Sequence, residues 1–241
     1  MHCFYIEPPV DGAAALPRDE AKHAAKVLRL RPGDNICAMD GAGRRWDAKI
    51  ETVDDGVTLR LLGELPSNEA PVRVTLYQGI PKSDKLDLLA QKLTELGVSA
   101  LVPVRMARCV AKLDDKDGKK RAERLQRIAD EAAKQCRRGV PLKIEAPLDW
   151  RGAMERMRSH DLLMIPWEDA RGRRIKDAWY HHSEAKDIGI VIGPEGGMSE
   201  DEVDALHDLD ALTITLGPRI LRTETAALAS AAMVMQLWGD L

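Results

Sequence analysis

The sequence lacks both glycine patterns that most often mark a nucleotide site. There is no GxGxxG opening a helix and no GxxxxGK[ST], which argues against a nucleotide-dependent oxidoreductase and a P-loop enzyme. Paired cysteines are missing too. Cys3, Cys37, Cys109 and Cys136 are scattered, with no CxxC and no histidine at zinc-finger spacing, so free thiols in a reducing cytoplasm are expected. His181 and His182 are adjacent, and His160 and His207 have no acidic or cysteine partner at ligand spacing, so no metal is expected. The longest apolar stretch, Ala226 to Trp238, is interrupted by Ser230 and Gln236 and is too short for a bilayer. The first residues, with Glu7 and Asp11, do not read as a signal peptide. A formal net charge of −3 excludes bulk positive charge as a means of coating nucleic acid. Internal repeats and low-complexity segments are also absent.

What is present is a chain of 241 residues, 44% hydrophobic, sufficient for one large domain or a small one plus a medium one. Charge is uneven: residues 105–138 hold 12 Lys or Arg against 6 Asp or Glu. That excess could meet phosphate, although solvated helix faces are often this basic. The first ~65 residues predict a β-rich module, with strands at Asn35–Met39, Trp46–Val53 and Val57–Leu62 and a helix over Asp19–Leu30. Residues 63–71 read as a linker. Beyond it strands and helices alternate. Val72–Gln78 predicts a strand, and Ser83 is placed to cap a helix carrying Leu86, Leu89, Leu93 and Leu96 that Gly97 ends. Ala100–Val104, Leu142–Ala146, Asp161–Pro166, Ile188–Ile192 and Leu212–Leu216 are further strands, with a long helix from about Lys119 to Arg137. This alternation predicts a parallel α/β sheet, and ordinary connectivity would make it a plain doubly wound one.

Two glycine-bearing turns stand out. Ile188–Ile192 runs into Gly193-Pro194-Glu195-Gly196-Gly197, and Leu212–Leu216 into Gly217-Pro218-Arg219-Ile220-Leu221-Arg222-Thr223-Glu224-Thr225. Loops at the C-terminal ends of strands are where open α/β sheets bind ligands. Pro194 removes a donor and fixes φ, while Gly196 and Gly197 are free to take φ > 0 or to admit a ligand closely. The result is a stiff, shaped turn more than a phosphate cradle. Ser199-Glu200-Asp201-Glu202 matches a capping box that fixes where this turn leaves the sheet.

These residues resemble a known family. GPEGG followed by Met198-Ser199-Glu200, then LGPRILRTETA from Leu216 to Ala226, is similar to the signature of the RsmE-type 16S ribosomal RNA uridine-N3 methyltransferases of the SPOUT superfamily. The likeness continues in His23-Ala24-Ala25-Lys26-Val27-Leu28-Arg29, in Lys92-Leu93-Thr94-Glu95-Leu96-Gly97, and from Glu131 to Arg138. It implies an α/β fold in which residues 72–241 form a SPOUT-type, trefoil-knotted parallel-sheet methyltransferase domain. Residues 1–68 would be a small PUA-like β-barrel that binds RNA. S-adenosylmethionine is the implied cofactor, held by Ile165, Pro166 and Trp167, by Ile192, Gly193, Pro194, Glu195, Gly196 and Gly197, and by Leu216, Gly217, Ile220, Leu221, Arg222, Thr223 and Thr225. Glycines flanked by Ile and Leu suit an adenine and a bent methionine tail; tight turns alone would also account for them. His23, Lys26, Arg29, Arg31, Arg108, Lys112, Gln135 and Arg138 are the implied RNA contacts, with His23 also readable as a packing histidine. The implied partners are small-subunit ribosomal RNA or the assembled 30S particle, and a second copy of the chain. The apolar circumference of the last helix, with Ala227, Leu228, Ala231, Met235 and Trp238, fits burial on several sides.

Methyl transfer to uridine N3 is an in-line displacement at a sulfonium, so positioning should supply much of the acceleration. Arg222 can hold a uracil carbonyl or stabilise charge on the deprotonated base. Glu195, or less readily Glu224, can accept the proton. Each residue has a structural alternative: Glu195 bonded to amides of its own turn, and Arg222 paired with Glu224. Met198 stands where the family commonly has an aromatic residue, so it is not assigned to base recognition. Two other functions remain open at this stage, another SPOUT-type RNA methyltransferase and a noncatalytic RNA-binding assembly factor.

Overall fold

The structure, a computed structural model, describes residues 1–110 and 115–241. By contact the chain forms two units: Met1–Glu69 with Glu131–Pro141, and Ala70–Asp130 with Leu142–Leu241.

The first unit is a curled five-stranded sheet of β1 (Cys3–Tyr5), β2 (Ala13–Ala15), β3 (Asn35–Met39), β4 (Arg45–Val53) and β5 (Val57–Leu65), in the order β1-β3-β4-β5-β2. β1 and β3 are parallel and the other pairs antiparallel. Glu7 N donates to Ala15 O at 3.0 Å, so the chain leaving β1 meets β2 at the far edge and curls the sheet towards a barrel. Alternation sorts the side chains. Phe4, Ile36, Ala38, Trp46, Ala48, Ile50 and Leu59 fill one side, and Cys3, Cys37 and Met39 point to the other. Residues 131–141 join this unit: Tyr5 donates to Arg138 O, and the buried Arg138 side chain pairs with Glu69 at 2.8 Å. At Gly139 a Cβ would lie 3.0 Å from the Gly43 backbone, so only glycine permits that approach. The sequence reading keeps these residues with the second domain; their contacts lie with the first.

The expected helix over Asp19–Leu30 is α1 (Arg18–Lys22) running into a wider turn at His23–Val27, where Leu28 N reaches back five residues to His23 O. Arg29 then adopts φ 54°, and Leu30 N bonds Ala24 O. The linker expected from Gly63 starts later. Gly63–Leu65 continue β5 opposite Asp47–Arg45, after a bulge beside Ala48 that restores pairing.

The second unit is an all-parallel sheet. Its strands are β6 (Arg73–Gly79), β7 (Ala100–Arg105), β8 (Lys143–Ile144), β9 (Leu148–Asp149), β10 (Leu162–Pro166), β11 (Asp187–Ile192) and β12 (Leu212–Ile214), in the order β12-β10-β11-β6-β7-β8, with β9 also on β7. β6, β7, β10 and β11 are buried almost throughout, as a parallel sheet covered on both faces requires. Side chains of α2 (Lys85–Glu95), α3 (Asp115–Cys136), α5 (Ile175–His182) and α7 (Thr223–Trp238) bury one face, with Leu86, Leu89, Leu125, Ile175 and Ala227 in its core. Those of α4 (Trp150–Met157) and α6 (Glu200–His207) bury the other, through Ala153, Met157, Val203 and Leu206. No helix among the described residues is long and apolar enough to cross a membrane.

Ser83 does not cap α2. It has φ 59° and lies one residue before the N-cap, which is Asp84; the helix begins at Lys85, and no described side chain caps it. Gly97, with φ 86°, ends the helix as expected.

The strand order positions the site. From β11 the chain crosses past β10 to β12, and from β6 it steps the other way to β7. The loops leaving the adjacent strands β11 and β6 therefore diverge and open a crevice at their C-terminal ends.

Candidate active site

Four segments meet at that crevice. β6 delivers Gln78 and Gly79, β10 ends in Ile165 and Pro166 before Trp167, β11 ends in Ile192 before Gly193–Gly197, and β12 leads through Leu216 and Gly217 to α7. Trp167 N bonds Ile214 O, tying the first loop to β12. Gln78, fully buried, donates to Thr223 Oγ1 at 2.8 Å, and Thr223 donates to Gly193 O at 2.6 Å. One side chain thus joins the start of α7 to the glycine loop. These bonds orient the Gln78 amide and leave its buried Oε1 without a partner among the described residues, an arrangement that costs free energy unless a donor arrives.

Space is tight on the sheet side of the glycine loop. A Cβ on Gly79 would lie 2.6 Å from Pro194 N, and one on Gly193 would lie 3.0 Å from the Gly197 backbone. Left-handed backbone falls at Gly197 (φ 71°) and Gly217 (φ 112°). Gly196 is not left-handed; it is there to let Arg108 lie close, with a Cβ only 3.1 Å from Arg108 Cβ. Arg108 also donates to Gly196 O at 3.2 Å. Gly197 faces the Glu168 carboxylate, which a Cβ would meet at 2.7 Å. Met198 is buried among Val203 and Leu206, so it fills core. The Ser199–Glu202 capping box forms, and Glu202 also accepts from Ala107 N at 2.7 Å, fastening the loop after β7. The loop 216–222 is the opposite of tight: Ile220 is 87% exposed, with Leu216 and Leu221 half-buried beside it.

The carboxylates are not free. Lys85 Nζ lies 3.0 Å from Glu195 Oε1 and 3.0 Å from Glu224 Oε2, and Lys82 N donates to Glu195 Oε1. Burial opposes ionisation of Glu195, but its own amide, Lys85 and the Lys82 amide outweigh that and hold the carboxyl below its usual range. Glu224 is likewise held low, burial being outweighed by its own amide and Lys85. The Lys85 pKa is raised, first by Glu224 and then, against burial, by Glu195. Of the two readings of Glu195 the geometry favours the structural one, since a carboxylate held ionised by a cation is a weak base. The alternative for Arg222, an ion pair with Glu224, does not form: Lys85 takes that place. Arg222 is exposed at the N-cap of α7; its carbonyl accepts from Ala226 N, while its guanidinium makes no hydrogen bond or ion pair with any described residue. Lys85 is absent from the sequence reading because nothing local announces it; its partners come from two distant loops.

Arg108 thus stands with the glycine loops, whereas His23, Lys26, Arg29, Arg31, Gln135 and Arg138 belong to the first unit. His23, Lys26, Arg29, Arg31 and Gln135 are exposed, and the His23 ring also packs edge-on to Phe4. Arg138 is a correction: at 5% exposure and paired with Glu69 it braces the fold and offers no phosphate contact. Lys112 lies outside the described residues. Among the described residues no cluster of His, Cys, Asp and Glu is built to hold a metal ion.

Comparison with known proteins agrees with this geometry. The RNA methyltransferase domain model matches residues 68–235, and the RNA methyltransferase PUA domain model matches residues 16–62. Ribosomal RNA small subunit methyltransferase E of Bacillus subtilis (strain 168) is 37% identical over 216 residues, 87% of this chain and 84% of the relative. The protein of that name from Mycobacterium tuberculosis (strain CDC 1551 / Oshkosh) is 34% identical, over 93% and 87%. The crystal structure of ribosomal RNA small subunit methyltransferase E from Neisseria gonorrhoeae, bound to S-adenosyl methionine, is 33% identical with a TM-score of 0.87, over 100% of this chain and 99% of that one. The fold is therefore a small PUA-like β-barrel with a SPOUT-type, trefoil-knotted α/β domain, and the plain doubly wound sheet is set aside. The chain belongs to the RsmE family of ribosomal RNA small subunit methyltransferases.

Proposed function

We propose that this chain methylates N3 of a uridine in 16S ribosomal RNA with S-adenosylmethionine as methyl donor. Family membership carries the reaction class. The observation that carries the rest is Arg222, an exposed guanidinium without a partner among the described residues, in a site whose two carboxylates are both already paired with Lys85.

The residues suit the cofactor. An isoleucine as exposed as Ile220 beside half-buried Leu216 and Leu221 offers an apolar edge to an adenine. The lone Gln78 Oε1 offers a buried acceptor, and the loops 165–167, 192–197 and 216–225 present backbone around it. S-adenosylmethionine supplies a methyl group already activated on sulfur. Arg222 orients the uracil through a carbonyl and stabilises the negative charge left as the N3 proton passes to solvent; the base then displaces S-adenosylhomocysteine from the methyl group, with no strong base supplied by the protein. Glu195, held by Lys85 and Lys82, keeps the glycine loop in shape.

RNA would be gripped by Arg108 beside the glycine loop and by His23, Lys26, Arg29, Arg31 and Gln135 of the first unit, with the second unit carrying catalysis. The working unit is a homodimer in the cytoplasm, acting on small-subunit RNA or the 30S particle. Leu88 on α2 and Met233 on α7 are exposed apolar side chains on two helices that pack together, and they are the residues assigned to the second copy.

Arg222→Ala tests the reading. Single-turnover methylation should fall by roughly 10²-fold while S-adenosylmethionine affinity by calorimetry stays within a few fold. Parallel loss of both would mean that Arg222 only holds the loop.

A further inference from the structure

We propose that Lys85 is a positioning residue for methyl transfer: by holding Glu224 it keeps that carboxylate off Arg222 and leaves the guanidinium free for the base. The inference rests on the reading of Arg222 given above. It adds a residue to which neither the family resemblance nor the site's loops assign a role.

The geometry carries the argument. Glu224 and Arg222 flank Thr223 at the first turn of α7, and Arg222 is near enough to help keep Glu224 ionised. Glu224 Oε2 is buried and has no hydrogen-bond partner among the described residues; Lys85 Nζ lies 3.0 Å away, an ion pair between side chains 16% and 24% exposed. A carboxylate so placed needs a cation. With Lys85 gone, Arg222 is the adjacent unengaged cation, and its fork suits a carboxylate better than an ammonium does. Capture of Arg222 by Glu224 would neutralise the group that must act on the uracil. Lys85 reaches α7 from the first turn of α2, just after β6, and its second bond, to Glu195, holds the ammonium at that point.

The test uses the full-length protein with S-adenosylmethionine and small-subunit ribosomal RNA, comparing wild type, Lys85→Met, Glu224→Gln and the double variant. Lys85→Met should lower the single-turnover rate at least tenfold with cofactor affinity within a few fold. Adding Glu224→Gln should restore the rate to that of Glu224→Gln alone, because no carboxylate is left to take the arginine. NMR supplies a readout separate from activity: hydrogen exchange at Arg222 Nε should slow in Lys85→Met and return to the wild-type rate in the double variant. A double variant as slow as Lys85→Met would mean that Lys85 only braces the loops. A fully active Lys85→Met protein with unchanged exchange would equally overturn the proposal. Wild-type protein that transfers no methyl group would instead sink the reading on which it rests.

Discussion

Arg29 occupies a position that glycine usually fills. It follows the wide turn at His23–Val27 with φ 54°, bracketed by bonds from Leu28 N to His23 O and from Leu30 N to Ala24 O, a left-handed helix end of the kind glycine terminates without cost. An arginine there costs about 1 kcal/mol, which its exposed charge must repay elsewhere, and phosphate contact is the proposed return. Arg29→Gly should therefore raise thermal stability while weakening RNA binding and reducing the slope of log K against log salt by about one. Unchanged RNA affinity would make the residue a plain helix terminus. The spacing of His23, Lys26 and Arg29 is visible in the sequence; the strained backbone is not, because φ follows from hydrogen bonds that close after the helix has widened.

At the scale of elements, most of the second unit was legible. Hydrophobic runs located β6, β7, β10 and β11, and the leucine spacing located α2. Failures fell where tertiary contact overrides local pattern: Ser83 yields the cap position, Gly63–Leu65 stay in β5 because β4 supplies partners, and Glu131–Pro141 join the first unit through Glu69, Gly43 and Tyr5. The two glycine loops were read as a ligand site, yet their brace, Lys85, was invisible, since an isolated lysine in a helix's first turn has no motif. Pairing of β6 with β11 also supplies a contact that no local pattern announces, Gly79 against Pro194. Gly79→Ala would push a methyl group into the Pro194 nitrogen and so displace the glycine loop. It should cost about 1–3 kcal/mol of stability and weaken S-adenosylmethionine binding in calorimetry. Gly56→Ala, where nothing lies within 4 Å, is the control and should leave cofactor binding alone. Normal cofactor affinity in Gly79→Ala would show that the loop's position is not what the cofactor reads.

On the scale of the whole molecule, the apolar circumference of α7 is mostly consumed within the chain. Ala227, Ala231, Val234, Met235 and Trp238 are buried in the second unit, and Met233 is left exposed. The helix alone is thus weaker support for a homodimer than its composition suggested. Light scattering at micromolar concentration should nonetheless give twice the chain mass, and an active monomer would remove the dimer as the working unit. The central claim is the site of methylation, and nucleoside mass spectrometry tests it most directly. Purified protein, S-adenosylmethionine and small-subunit RNA or 30S particles lacking the modification should yield 3-methyluridine at one position, dependent on Arg222. Methyl groups on a ribose oxygen or another base, or no transfer to either substrate, would contradict the account.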